Sequence, residues 1–186
     1  QRAHAALIVA SEVENNRQFA PTELVGIEET GSALLLDESP DGKSGFGNFV
    51  FQTFPEYTQD VHANSEVRNG KTLMKFESHP QLEQHYVHCI QETVAETLRR
   101  EQLELSQIRV ILPPQISSNF ITQLSNALEV KRDKVIDVQT QHDLFTSSLA
   151  YALQYAYDQH KVQKGDIGLI INVGSGIQIG CAVYYF

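Results

Sequence analysis

The tripeptide Gly174-Ser175-Gly176 is the stretch best suited to chemistry at the main chain. It separates two apolar runs of strand length, Asp166–Val173 and Ile177–Phe186. Neither run alternates cleanly, so both are expected deep in a sheet covered on both faces. Glycine at 174 and 176 frees the backbone for positive φ and lets a ligand approach closely. The same turn also reads as a plain tight strand connection. Three histidines, His79, His85 and His88, invite a metal reading. His85 and His88 can share a helical face, but no carboxylate or cysteine completes a set, so no metal is expected. Cys89 on an apolar helix stripe and Cys181 inside the last strand read as core fillers. Lys131, Arg132 and Lys134 fit an acidic partner or, more simply, a solvated loop.

The elements that must carry these residues follow from periodicity and turn chemistry. Ala5–Ser11 is nearly continuous in apolar residues and predicts a central strand, and Gly31–Asp37 predicts a second. Glu12–Pro21 is polar and reads as loop, and Pro40-Asp41-Gly42 is a turn signal. Gly47–Phe54 alternates and predicts a third strand, whose Phe49 and Phe51 suit a core or a subunit contact. Pro55–Arg68 carries no usable period and reads as loop. Asn69-Gly70 signals a hairpin turn, with Lys71–Phe76 as a strand edge or the entry to a helix. Ser78–Leu103 predicts a long helix with Leu82, Tyr86, Cys89, Ile90, Val94 and Leu98 on one face. Ser78 with Gln81 resembles a capping box there, with Pro80 in the first turn.

Arg109–Leu112 predicts a short strand stopped by Pro113-Pro114. Ser117 or Ser118 caps a helix bearing Phe120, Ile121, Leu124 and Leu128, and Val135–Val138 predicts another short strand. Asp143 caps a helix bearing Phe145, Leu149, Ala152, Leu153 and Ala156. Helix and strand alternate through this second half, which favours a partly parallel α/β sheet.

Bulk properties exclude several classes. At 186 residues the chain suits one domain with a substantial core. A net charge of −9 argues against general nucleic-acid binding, which needs a basic face. No apolar run reaches the length of a membrane span, and no signal segment opens the chain. Two cysteines make no disulfide framework and fit a reducing cytoplasm. The chain opens at Gln1 with a strand-like run beginning by Ala5, so it is expected to be a piece of something longer.

The order of elements resembles the C-terminal half of the ketoacyl-acyl-carrier-protein synthase III family, within the thiolase fold. Ala6–Ser11 is similar to the family strand that opens this half, and Gly31–Leu36 to the glycine-alanine strand that follows. Asn69–Phe76 is similar to the glycine-led segment before the long helix. Gly174–Gly180 is similar to the terminal glycine motif and is the most specific match. The resemblance implies one α/β thiolase-like domain over residues 1–186, a mixed sheet covered by helices. It implies an acyltransferase acting on acyl-CoA or acyl-carrier-protein thioesters, in fatty acid or polyketide synthesis. No cofactor is implied, since coenzyme A or phosphopantetheine is the substrate's carrier. A cysteine nucleophile is expected in an N-terminal half outside this chain, and a homo- or heterodimer is implied.

Site residues carried over from the resemblance are mixed. Ser175 would supply an oxyanion N–H from the turn flanked by Gly174 and Gly176. The family histidine, which precedes glutamine, is replaced by Pro114 before Gln115, and Gln115 is the implied substrate contact. The family asparagine is replaced by Asp143, preceded by His142. Proline offers neither donor nor base, and an ionised aspartate only accepts. His142 is then the nearby group suited to act as a base near neutral pH. With Asp143 it suggests a cysteine–histidine–carboxylate set for acyl transfer to an alcohol or amine. The alternative is a catalytically silent subunit of the same fold, paired with an active partner.

Overall fold

The computed structural model describes residues 4–12, 29–40 and 42–186. The loop expected over Glu12–Pro21 lies outside the described residues except for Glu12. The centre is a four-stranded mixed sheet in the order β3 (Gly45–Thr53), β8 (Gln178–Tyr185), β7 (Ile167–Gly174), β6 (Val110–Leu112). β8 runs antiparallel to both neighbours, and β6 runs parallel to β7.

β7 shows why its apolar run does not alternate. Leu169 and Ile171 face one core, packed with Ile90 and Val94 of α1 (Leu82–Glu101) and Phe120 and Leu124 of α2 (Ser118–Ala127). Ile170 faces a second core, with Leu112, Phe186 and Ala152 and Ala156 of α3 (Ser148–Asp158). Both faces are buried, so both need apolar side chains. α1 is tied to the sheet at its far end by Glu101. Its carboxylate accepts from Asn48 N (2.5 Å), Asn48 Nδ2 (2.8 Å) and Tyr185 Oη (2.9 Å). Gln102 ends the helix in the left-handed region, φ 57°, and Leu103 N closes back on Leu98 O at 3.0 Å.

Two further sheets are two-stranded ribbons: β1 (Ala5–Glu12) with β2 (Thr30–Asp37), and β4 (Val61–Arg68) with β5 (Lys71–Ser78). The expectation of a central strand at Ala5–Ser11 is corrected here. β1 pairs with β2 alone among the described strands, and Leu7 and Val9 are 66% and 68% exposed. Phe49 and Phe51 of β3 are exposed rather than core, stacked on one another at 6.2 Å, while Val50 between them is buried. Pro55–Arg68 is not loop: it holds a 3-10 turn at Pro55–Tyr57 and then β4. The Asn69-Gly70 turn closes the β4–β5 hairpin with both residues at positive φ, 50° and 74°. The long helix starts at Leu82, because Ser78 belongs to β5, and its N-cap Gln81 makes no side-chain cap bond. Val135–Val138 forms only a one-residue bridge, Val135 to Ile111. Ser117 caps α2 as expected, its hydroxyl accepting from Phe120 N at 3.0 Å.

Candidate active site

Because β6 and β7 are parallel, their carboxyl ends lie at one edge of the sheet, where α/β folds place their ligands. β6 delivers Pro113-Pro114-Gln115 there, all buried. β7 runs four residues past Ile170, the partner of Leu112, and delivers the glycine turn.

Gln115 is a clamp. Its amide N–H donates to Ser148 Oγ (3.0 Å) and its carbonyl accepts from Leu144 N (3.1 Å). Its side-chain Nε2 donates to Pro113 O (2.9 Å) and Ile136 O (3.2 Å), and its Oε1 accepts from Val138 N (3.0 Å). With the residue only 2% exposed, the side chain is spent on the backbone of this loop. In the described chain its bonds hold the Pro114 loop against residues 144–148.

The second loop is tightly turned. Gln139 and Phe145 sit at positive φ, 56° and 42°, an uncommon conformation for residues with a side chain. Thr140 Oγ1 donates to His142 O at 2.7 Å. Asp143 Oδ1 accepts from Phe145 N at 2.7 Å. Asp143 therefore makes a local turn onto Phe145 and caps no helix, as the 3-10 turn Phe145–Ser147 has Leu144 at its N-cap and α3 begins after Ser147, which makes no side-chain cap bond. Burial pushes the Asp143 carboxyl up, against the Phe145 N–H that lowers it. Glu12 and Glu83 raise it further, and nearby His142 lowers it. His142 and Asp143 are half-buried and electrostatically coupled.

The first turn of α1 supplies the opposite wall. Ser117 Oγ donates to Glu83 Oε1 at 3.1 Å. Tyr86 is buried, and burial first, then Asp143 and Asp60, push its phenol up to about 12.

At the hairpin tip Gly174 pairs with Gln178, and Ser175 is exposed. Gly176 alone uses positive φ, 97°; Gly174 does not, which corrects half of the expectation. Phe54 N donates to Ile177 O at 2.8 Å and pins the tip, with Ile177 fully buried behind it. Two cavities of about 540 and 430 Å³ lie along the 37–45 turn and between β2 and α3. Neither is lined by His142, Asp143 or Ser175.

Burial pushes both thiols, Cys89 and Cys181, up to about 12, and they fill the core. Arg132 pairs with Asp137 in its own loop, and Lys134 Nζ donates to Ile108 O at 2.9 Å, tying that loop to the segment before β6. His88 pairs with Glu92 along the helix, while His79 and His85 converge instead with Asp60, a carboxylate the sequence did not place near them.

The fold is that of a thiolase-like half, a mixed sheet under helices with a glycine turn at the carboxyl end of β7. Residues 98–186 match the family 3-oxoacyl-[acyl-carrier-protein (ACP)] synthase III C terminal. Among curated relatives, the beta-ketoacyl-[acyl-carrier-protein] synthase III of Rickettsia rickettsii is 24% identical over 166 residues, 87% of this chain and 51% of its own. Among solved structures, the Thermus thermophilus synthase III superposes with a TM-score of 0.79 at 20% identity, over 99% of this chain and 60% of that one. The Xanthomonas campestris protein OleA, solved with lauric acid and lauroyl-CoA, gives a TM-score of 0.75 at 14% identity, over 98% and 58%. Residues 98–186 are thus similar to the synthase III C-terminal segment, and most of the chain is similar to synthase III proteins. It spans about half the length of the curated relatives it matches. No described helix is long and apolar enough to cross a membrane.

Proposed function

We propose that this chain is the C-terminal domain of a synthase III-like acyltransferase that works on acyl-CoA or acyl-carrier-protein thioesters. The nucleophile comes from an N-terminal half. The observation that carries the reading is the Gln115 clamp, which holds the Pro114 loop against His142–Asp143 at the edge of the sheet that also bears the glycine turn. In this reading the thioester carbonyl sits at the turn, and the Ser175 amide N–H donates to its developing oxyanion. Pro114 contributes shape only. His142 accepts a proton from the attacking alcohol or amine, and Asp143 stabilises the resulting imidazolium. The acyl group passes from cysteine sulfur to the acceptor and the thiolate leaves. Exposed Leu7, Val9 and Leu35 on the β1–β2 ribbon support a contact with the other half or a second subunit.

A second reading has its own support. Pro114 removes one family donor, and Gln115 is wholly engaged with backbone, as a silent subunit paired with an active partner would allow. Steady-state thiol release in the protein that includes the nucleophile-bearing half separates the two. His142→Ala lowers acyl transfer by about 10²-fold or more on the first reading, with folding intact. Unchanged turnover removes His142 from the reaction, and no turnover in the unsubstituted protein favours the silent subunit.

A further inference from the structure

We propose that Asp60, His79 and His85 bind one divalent transition-metal ion of the zinc class, which staples the β4–β5 hairpin to the first turn of α1. The proposal is independent of the acyl-transfer reading. One ligand atom from each residue lies within 4.8 Å of the other two. Their positions in the chain explain why. Asp60 immediately precedes β4 and His79 immediately follows β5, so both stand at the open end of the hairpin, joined by His79 N to Asp60 O at 2.7 Å. His85 lies in the first turn of α1 and faces them.

The site is built rather than scattered. Asp60 is buried, and its Oδ2 lies against His85 Nδ1 at 2.5 Å. The His85 ring is held between Tyr57, 4.5 Å between centroids, and His79, 5.6 Å. His79 is exposed, which leaves the solvent side open for an ion to enter. Two imidazoles and one carboxylate suit zinc and its neighbours rather than magnesium or calcium, which take oxygen ligands. Three protein ligands leave a fourth, water-filled position. His79 Nδ1 accepts from Gln81 N at 3.2 Å, which fixes its ring and leaves Nε2 as its ligand atom.

The hairpin has a use for such a staple. Among the described strands β4 and β5 pair only with each other, and an isolated two-stranded hairpin is marginal in water. An ion that binds only the folded arrangement stabilises it by mass action.

Titration of the metal-stripped protein with Co²⁺, followed by visible absorption, tests the site. One equivalent is expected to bind with d–d bands of a four- or five-coordinate ion, and Zn²⁺ displaces it. Zn²⁺ also raises the melting temperature above that in chelator. His79→Ala, at an exposed position that does not threaten folding, weakens Co²⁺ binding by about tenfold or more, and Asp60→Asn does the same. His62→Ala leaves binding unchanged, since that ring pairs with Glu77 along the hairpin. The proposal is overturned if the unsubstituted protein shows no saturable Co²⁺ binding, or if His79→Ala binds as tightly as the parent.

Discussion

β1 and β7 are both eight-residue strands with nearly continuous apolar runs, yet they end in opposite environments. Leu169, Ile170 and Ile171 of β7 are buried, whereas Leu7, Ile8 and Val9 of β1 are exposed. The difference lies in what surrounds each strand. β7 has a strand on either side and helices on both faces, while β1 has one partner in a ribbon. A strand's own sequence states that it must be covered, not what covers it. For β7 the cover is within the described chain; for β1 we assign it to the other half or a second subunit.

Mutations can break that comparison. Ile171→Ala should destabilise the isolated chain by about 2–5 kcal/mol, the cost of a cavity in a packed core. Val9→Ala should stay within roughly 0.5 kcal/mol. Chemical denaturation of both variants checks the pair, and equal losses would show that β1 is covered as well. Within the buried hairpin, Gly168→Ala puts a methyl 2.7 Å from the Phe186 ring and should cost about 1–3 kcal/mol.

The tip sharpens the same contrast at smaller scale. Gly176→Ala should cost about 1–2 kcal/mol for its positive φ, whereas Gly174→Ala meets only ordinary contacts and should be close to neutral. Equal losses at the two positions would contradict the assignment of the turn. Gln102→Gly should stabilise by about 0.5–1 kcal/mol, because its left-handed conformation suits glycine.

The smallest effect expected is pH-dependent. Burial raises the folded carboxyl of Asp143, so its ionisation weakens the fold as pH rises through that raised value. Asp143→Asn keeps the acceptor for Phe145 N and removes that charge. It should gain stability at pH 7, and the gain should vanish below about pH 3.9, where both states of the parent are protonated. A gain that persists at low pH would point to another cause.

Much of the fold was legible where burial and pattern agree. The β7–β8 hairpin, the Ser117 cap and the Asn69-Gly70 turn each carry a local signal that the structure honours. β4 was not legible, because it lies in an exposed ribbon and its few apolar residues, Val61, Ala63 and Val67, are diluted by polar ones, Ser65 falling among them on the same face. Asp60 was lost with it, and so was the carboxylate beside His79 and His85. The site was half legible: the residues at 114, 142 and 143 stood out by resemblance. The loops that carry them are joined at Gln115, whose side chain bonds three backbone groups and whose main chain bonds Leu144 N and Ser148 Oγ, a role its sequence does not signal.

The most direct test of the proposed site is removal of one N–H. Ser175→Pro deletes the amide at the tip, while Ser175→Ala keeps it. In the protein bearing both halves, thiol release should fall by about 10²–10³-fold in the proline variant and stay near the parent value in the alanine variant. Melting temperatures confirm that each variant folds. A folded proline variant with unchanged turnover would contradict the assignment of the glycine turn as the oxyanion donor.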